Sequence, residues 1–469
     1  MSNLLPAFHS PTSLCWRLCF LHILLSFYSY GIWPFGFFKK LGIAGPRPIP
    51  FFGTVWEYRK GFLEFDSHCA RKYGKIWGIY DGRQPVLAIL DAKIIKSVLV
   101  KDCYTTFTNR RRLELAGVLE TAVSLAMDEQ WKRIRTVLSP TFTSGKLKEM
   151  FPIIKHYAEA LMKNIEQKLD TDESINVKEV FGAYRMDVVT STSFGVNIDS
   201  MNNPKDPFVK EIKKLVKFRS FDPLFVLIFV FPFVIPVLKK MNVNIFPKAA
   251  IEFFTTAVAK MKATRLKEGR GVSGILLVVE PGVASLTDAE ILAQAFIFIF
   301  AGYEPTSNSL SYIAYNLAIH PDVQQKLQEE VDSILPNKAP LTYDALMQME
   351  YLDMIINETQ RLYPLGGRIE RVCKQDVEIN GVNIPKGTVV MIPPYNLHRD
   401  PEYWPEPEEF RPERYRIRTD LECPKYEGPR LCRTFTGIIC SRRLVPVRRQ
   451  AAAFCTSCSL RTSIKGRPT

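Results

Sequence analysis

Hydrophobic and polar positions change their period several times along this chain, and each change marks an element. Residues Leu14 to Phe38 are largely apolar and aromatic, interrupted by Arg17 and His22. About 20 helical residues, rising roughly 1.5 Å each, cross a hydrocarbon core of about 30 Å. Leu18 to Phe38 is therefore long enough to span a bilayer once. Lys39 and Lys40 come directly after it, and basic residues stay on the cytoplasmic side, so the downstream chain is expected in the cytosol. A cleaved signal peptide is the alternative, but no small-x-small cleavage pattern stands near the end of the run. Next comes Gly45-Pro46-Arg47-Pro48-Ile49-Pro50-Phe51-Phe52-Gly53. Its prolines fix φ and remove donors, which predicts an extended, semi-rigid segment.

Further on, Phe221 to Val237 is apolar but carries Pro223, Pro232 and Pro236. Those prolines argue against one spanning helix and, on the residues alone, leave a buried core segment. Thr287-x-x-Glu290 is a capping box that opens a helix into the apolar run Ile291 to Phe300. That run is too short to span, so it predicts a buried central helix. Pro321 opens another helix with Val323, Leu327 and Val331 on one stripe. Asn380-Gly381 is a hairpin turn between short β-prone runs. The pattern is a mainly α chain with small β sheets. Length alone suggests two or three domains, but no Gly/Ser or acidic linker divides the chain.

Charge changes the picture mainly at the end. Of the net +14, most sits in residues 416–469, where 12 Lys/Arg face 3 Asp/Glu. No nucleic-acid-binding fold accompanies the charge, so that class is set aside. Cys69, Cys103 and Cys373 are scattered as free thiols of a reducing compartment would be. Cys423, Cys432, Cys440, Cys455 and Cys458 crowd into the tail. Cys455-x-x-Cys458 lacks the ligands of a zinc site, since no His comes after His398. The tail's composition is that of a disordered basic segment.

Several motifs carry chemistry. Trp131-Lys132-Arg133-Ile134-Arg135 puts Trp131 and Arg135 four apart, on one helix face. Ala301-Gly302-Tyr303-Glu304-Pro305-Thr306 stands midway along the central helix. Glu358-x-x-Arg361, taken alone, is a pattern usually worth a few tenths of a kcal/mol at a surface. It gains meaning from two patterns downstream of it, an Arg371-bearing strand start and then Phe410-Arg411-Pro412-Glu413-Arg414-Tyr415. In this order the motifs resemble a cytochrome P450, nearest the steroid- and drug-oxidising family 3, subfamily A. The resemblance runs from about Phe37 to about Tyr415, with a gap near residues 268–285.

The resemblance implies a single large catalytic domain over 54–415 behind an anchor at 1–40 and a hinge at 41–53, with 416–469 as an aberrant tail holding the remnant ligand loop. It implies heme b (iron-protoporphyrin IX), and electrons from NADPH through a flavoprotein reductase. Lipophilic small molecules such as steroids and xenobiotics would be oxidised by dioxygen. The protein would be single-pass in the endoplasmic reticulum membrane, its catalytic domain cytosolic. Arg110, Trp131, Arg135, Arg371 and Arg430 would hold the heme, a role suited to the fixed charge and fork of arginine. Glu358, Arg361 and Arg414 would form a buried trio beneath the heme loop. Ala301, Gly302, Glu304 and Thr306 would form the oxygen-activating site, an acid and a hydroxyl delivering protons.

Two departures from the family pattern bear on activity. Pro305 stands where the family has its Thr, and proline inside a helix costs about 3 kcal/mol. Thr306 is rotated by about 100° from that place, so electrons are expected to couple poorly to oxygenation. Cys432 is the implied thiolate ligand of iron. Gly428 and Arg430 keep their register with it, while Lys425 and Thr434 replace the family's Phe and final Gly. A heme-less, catalytically inactive membrane-anchored variant is therefore the rival reading. A peroxide isomerase is the second, because relatives of that kind also lack the Thr.

Overall fold

The computed structural model describes residues 11–170, 175–203, 206–216, 223–268 and 286–416. The expected ligand Cys432, Arg430, the tail beyond Arg416 and the 269–285 stretch lie outside the described residues. The chain divides internally into two compact units, each drawing on distant segments. One comprises Met1–Phe107, Ser220–Pro236 and Arg368–Asn396; the other comprises Thr108–Arg219, Val237–Gly367 and Leu397–Thr469.

The first unit holds the sheets. Strands β1 (Ile76–Asp81) and β2 (Gln84–Ile89) form an antiparallel hairpin. Downstream come β3 (Ile369–Val372), β4 (Val377–Ile379), β5 (Val382–Ile384) and β6 (Val389–Ile392). The main sheet has the order β1-β2-β6-β3, with β2 and β6 parallel, while β4 and β5 pair separately. Asn380 and Gly381 turn that small hairpin with φ of 54° and 77°, the left-handed pair that such a two-residue turn requires.

The N-terminal helix, Pro11–Ile32, leaves Trp16, Leu18, Phe20 and Ile23 largely exposed. Trp16–Lys40 is long and apolar enough to cross a membrane. It is not one straight helix as the sequence suggests. Pro34 lacks an amide donor, and a tight Trp33–Gly36 turn separates the long helix from Phe37–Lys40. Phe38 is buried against β1, and a Cβ at Gly78 would come within 2.3 Å of its ring. Tyr80 stitches the turn to the sheet: its hydroxyl accepts from the Phe38 amide at 3.2 Å and donates to the Phe35 carbonyl at 3.1 Å. The apolar Phe221–Val237 block breaks where its prolines predict, into helix Pro223–Val230 and turn Pro232–Val234. Phe231 and Phe233 of that segment gather with Phe27, Tyr30 and Phe51 in an aromatic cluster.

The same unit contains a charged clamp. Arg368 donates to both oxygens of the buried Asp66, at 2.9 and 2.7 Å, and its guanidinium lies over Tyr58 and Phe62. Tyr58 in turn donates to Asp81 at 2.5 Å.

The second unit is helical. Its spine is the 32-residue central helix Asp288–Ile319. Leu310, Ile313 and Leu317 pack with Phe181, Tyr184 and Val188 of helix Val177–Phe194 and with Leu352, Ile355 and Ile356 of helix Glu350–Leu362. Val323, Leu327 and Val331 of helix Pro321–Ile334 join the same core along their predicted stripe. A second cluster surrounds the front of the spine at Ala293, Phe296 and Ile299, with Ile212 and Phe254. The capping box at its start is formed, Thr287 accepting from the Glu290 amide and Glu290 from the Thr287 amide. The helix runs on through Pro305 without ending.

Replacing Arg368 with methionine should leave Asp66 buried without its counter-charge. We expect about 3–5 kcal/mol of lost stability, read as a lowered denaturant midpoint. A loss under about 1 kcal/mol would show that the clamp is solvent-screened.

Candidate active site

Helix Glu350–Leu362 places Glu358 and Arg361 on one face, and neither side chain is exposed at all. Such a pair survives burial only if every donor and acceptor is met. Arg361 meets this condition. Its Nε and Nη2 grip the two Glu358 oxygens at 2.8 Å each, Nη1 donates to the carbonyls of His398 and Pro407, and Nη2 also reaches that of Glu409. Glu358 accepts further from the Arg411 amide at 3.0 Å and from Arg414 Nε at 3.2 Å. The trio expected from sequence is thus assembled, and it binds the irregular 398–411 segment to the helix through main-chain carbonyls.

The Pro412–Tyr415 turn is held residue by residue. Glu413 accepts from Lys326 at 2.7 Å and from Tyr351 at 3.0 Å, Arg414 reaches Glu358 and the Glu406 carbonyl, and Tyr415 is buried beside Trp404. His398 donates from Nδ1 to the Arg361 carbonyl, 3.2 Å away. Burial, with the Arg361 guanidinium adding to it, holds the imidazole pKa down at about 3.

Trp131 and Arg135 share a face of helix Asp128–Leu138, the guanidinium 5.6 Å from the indole ring. Arg135 is exposed and pairs with no carboxylate among the described residues. The helix is pinned from its other side by a contact that sequence reading missed. Arg133 and Gln130 both donate to Glu290, the capping residue of the central helix. Burial pushes the Glu290 carboxyl up, but Arg133, the Thr287 amide and Gln130 outweigh it and hold the pKa at about 2. Arg110 is exposed in the loop preceding this helix. In the sheet-bearing unit, Arg371 on β3 is half-buried, and its Nη1 donates to the neighbouring Glu370 carbonyl at 2.8 Å. Burial draws its pKa below the ordinary value, and no carboxylate among the described residues opposes that effect.

On the central helix, Gly302 faces helix Val177–Phe194, and a Cβ there would stand 2.8 Å from Val189. Glu304 turns towards Lys178 at 3.3 Å and Asn308 at 3.3 Å. Thr306 is buried, while Ala301 and Pro305 are half-buried. The five positions share a turn and a half but do not share a face.

Heme is a flat group with two carboxylates, an apolar rim and an iron that needs a protein ligand. In the sheet-bearing unit, Arg371 is a desolvated cation with no carboxylate of its own among the described residues, which suits a propionate; in the helical unit, taken by itself, Arg135 beside Trp131 offers the same chemistry. The buried ion cluster spends its donors on the carbonyls of His398, Pro407 and Glu409 and so fixes the irregular segment that leads to residue 416. The residues present therefore fit the group.

This assembly, helical with small sheets and an internal Glu-x-x-Arg cluster locked to a Pro-Glu-Arg-aromatic turn, defines a class of heme enzymes. The family model described as Cytochrome P450 matches residues 43–426, and the chain belongs to this family of heme monooxygenases supplied with NADPH electrons by a reductase. It is 56% identical to Cytochrome P450 3A9 of Rattus norvegicus over 445 residues, covering 92% of this chain and 88% of the relative. It is 57% identical to Cytochrome P450 3A13 of Mus musculus, with the same coverage of both chains. To Cytochrome P450 3A5 of Homo sapiens it is 52% identical over 447 residues, 92% of this chain and 89% of that one.

The depressed His398 pKa sets an acid limit. Folding excludes a proton that the unfolded imidazole binds below pH ~6.5, so this contribution is complete above that pH. It falls away as pH drops towards about 3. His398→Gln should flatten stability against pH within that window, by up to about 1.4 kcal/mol per pH unit. Parallel curves for the two proteins would contradict the assignment.

Proposed function

We propose that this chain is a heme-thiolate monooxygenase of lipophilic small molecules, steroids and xenobiotics among them, anchored once in the endoplasmic reticulum membrane with its catalytic part cytosolic. The observation that carries this reading is the complete Glu358–Arg361–Arg414 cluster, in a chain more than half identical to three Cytochrome P450 3A proteins. The exposed, apolar Trp16–Lys40 run supports membrane attachment, and Lys39 and Lys40 at its end support the orientation.

Arg110, Trp131, Arg135 and Arg371, with Arg430, would hold the heme propionates, and Cys432 would bind the iron as thiolate. Bound heme supplies the activation of dioxygen. The chain's own contribution is proton supply and positioning. Glu304 is partly exposed beside Lys178, so it can take protons from solvent and pass them along its turn. Pro305 has no hydroxyl to continue the path, and Thr306 points a third of a turn away. Its hydroxyl would serve the reaction poorly. Pro305→Thr should therefore lower the peroxide released per NADPH consumed several-fold; equal release from both proteins would count against this account.

A second reading, an inactive heme-less variant, rests on Lys425 and Thr434 in the ligand loop. The loop's backbone donors set the thiolate's electronics, and both substitutions fall in that loop. Expression of the full chain in membranes with excess heme, followed by a reduced carbon monoxide difference spectrum, separates the two. The oxygenase reading predicts a band at the thiolate-ligated position that Cys432→Ala abolishes. No heme absorbance would overturn it in favour of the inactive variant.

A further inference from the structure

Arg185 lies on helix Val177–Phe194 and is buried, at 8% exposure, yet it has no carboxylate partner among the described residues. Desolvation pulls its pKa down to about 10, so burying this cation is costly. Its Nε donates instead to a main-chain carbonyl of the central helix, that of Gly302, at 2.5 Å. Gly302 permits the approach: a Cβ at this position would stand 2.8 Å from Val189 and 3.4 Å from Arg185 Nη2.

Three residues further on is Pro305. Proline removes the donor that would serve the Ala301 carbonyl, and its ring crowds that carbonyl. The next acceptor along is the Gly302 carbonyl, which in an ideal helix takes the Thr306 amide. A buried helix that has lost one backbone donor leaves a desolvated carbonyl at that turn, so a donor brought to the turn from outside offsets part of the loss. Arg185 supplies one.

We propose that Arg185 is a positioning residue that splices the central helix across Pro305 and so fixes the Glu304–Thr306 turn. This deepens the oxygenase reading, since the turn is the one through which protons would be delivered. It predicts that Arg185 and Pro305 are coupled. A guanidinium buried merely for packing would matter equally whatever stood at 305.

The test is amide hydrogen exchange, read by mass spectrometry on the intact chain in lipid nanodiscs. Four proteins are compared: the natural chain, Arg185→Met, Pro305→Thr, and the double variant. Arg185→Met should speed exchange in the 302–309 segment tenfold or more when Pro305 is present. With Thr at 305, which restores the backbone donor, it should speed it less than threefold. Equal acceleration in both backgrounds, or none in either, overturns the proposal. Should Arg185→Met fail to fold, Arg185→Lys, which keeps one donor, is run in both backgrounds under the same criterion. Exchange does not require turnover, so a chain lacking the thiolate band would defeat the oxygenase reading and leave this coupling to be judged separately.

Discussion

The helical unit is organised around one buried ion pair, Glu358 with Arg361. In the unfolded chain both charges are hydrated, and moving them to zero exposure carries a penalty that the pair alone does not recover. The balance is restored by a shell of main-chain partners: three loop carbonyls accept from Arg361, and Glu358 takes the Arg411 amide and the Arg414 guanidinium. Satisfying the pair therefore dictates the path of residues 398–411. Irregular backbone acquires a fixed shape because a helix needs its carbonyls. The same logic explains Pro412–Tyr415, a turn in which Glu413, Arg414 and Tyr415 each find a separate buried or ionic partner.

The central helix shows the opposite balance. Its N-terminus is over-determined, because Glu290 both completes the capping box and receives Arg133 and Gln130 from the helix that carries Trp131 and Arg135. Its middle is weakened by Pro305 and by serines at 307, 309 and 311, whose hydroxyls bond back to carbonyls of the preceding turn.

How much of this is legible in sequence depends on how far apart the partners lie. The Thr287 cap, the Asn380-Gly381 turn, the Val323 stripe and the Trp131–Arg135 spacing each find their partners within a turn or two. Pattern reading places them. Arg185 and the Gly302 carbonyl are 117 residues apart, and Arg133 and Glu290 are 157 apart; no local window connects them. The division into two units escapes for the same reason, since β2 pairs in parallel with β6, far downstream, Val86 opposite Val389. The trio at Glu358, Arg361 and Arg414 is also long-range, and only the resemblance to a family brings it into view. At the anchor, apolar composition indicates a spanning segment but not its bend, because one proline, Pro34, decides where the helix stops.

Native-state hydrogen exchange of the intact chain tests the central claim most directly. If the Glu358–Arg361 pair sets the path of the 398–411 segment, the Arg411 amide, which donates to Glu358, should exchange with the slowest class. It should open only with the core of helix Glu350–Leu362, despite lying in irregular backbone near the surface. Rapid exchange of Arg411 while that helix stays protected would show that the segment opens on its own. The cluster would then be a consequence of the fold rather than its organising constraint.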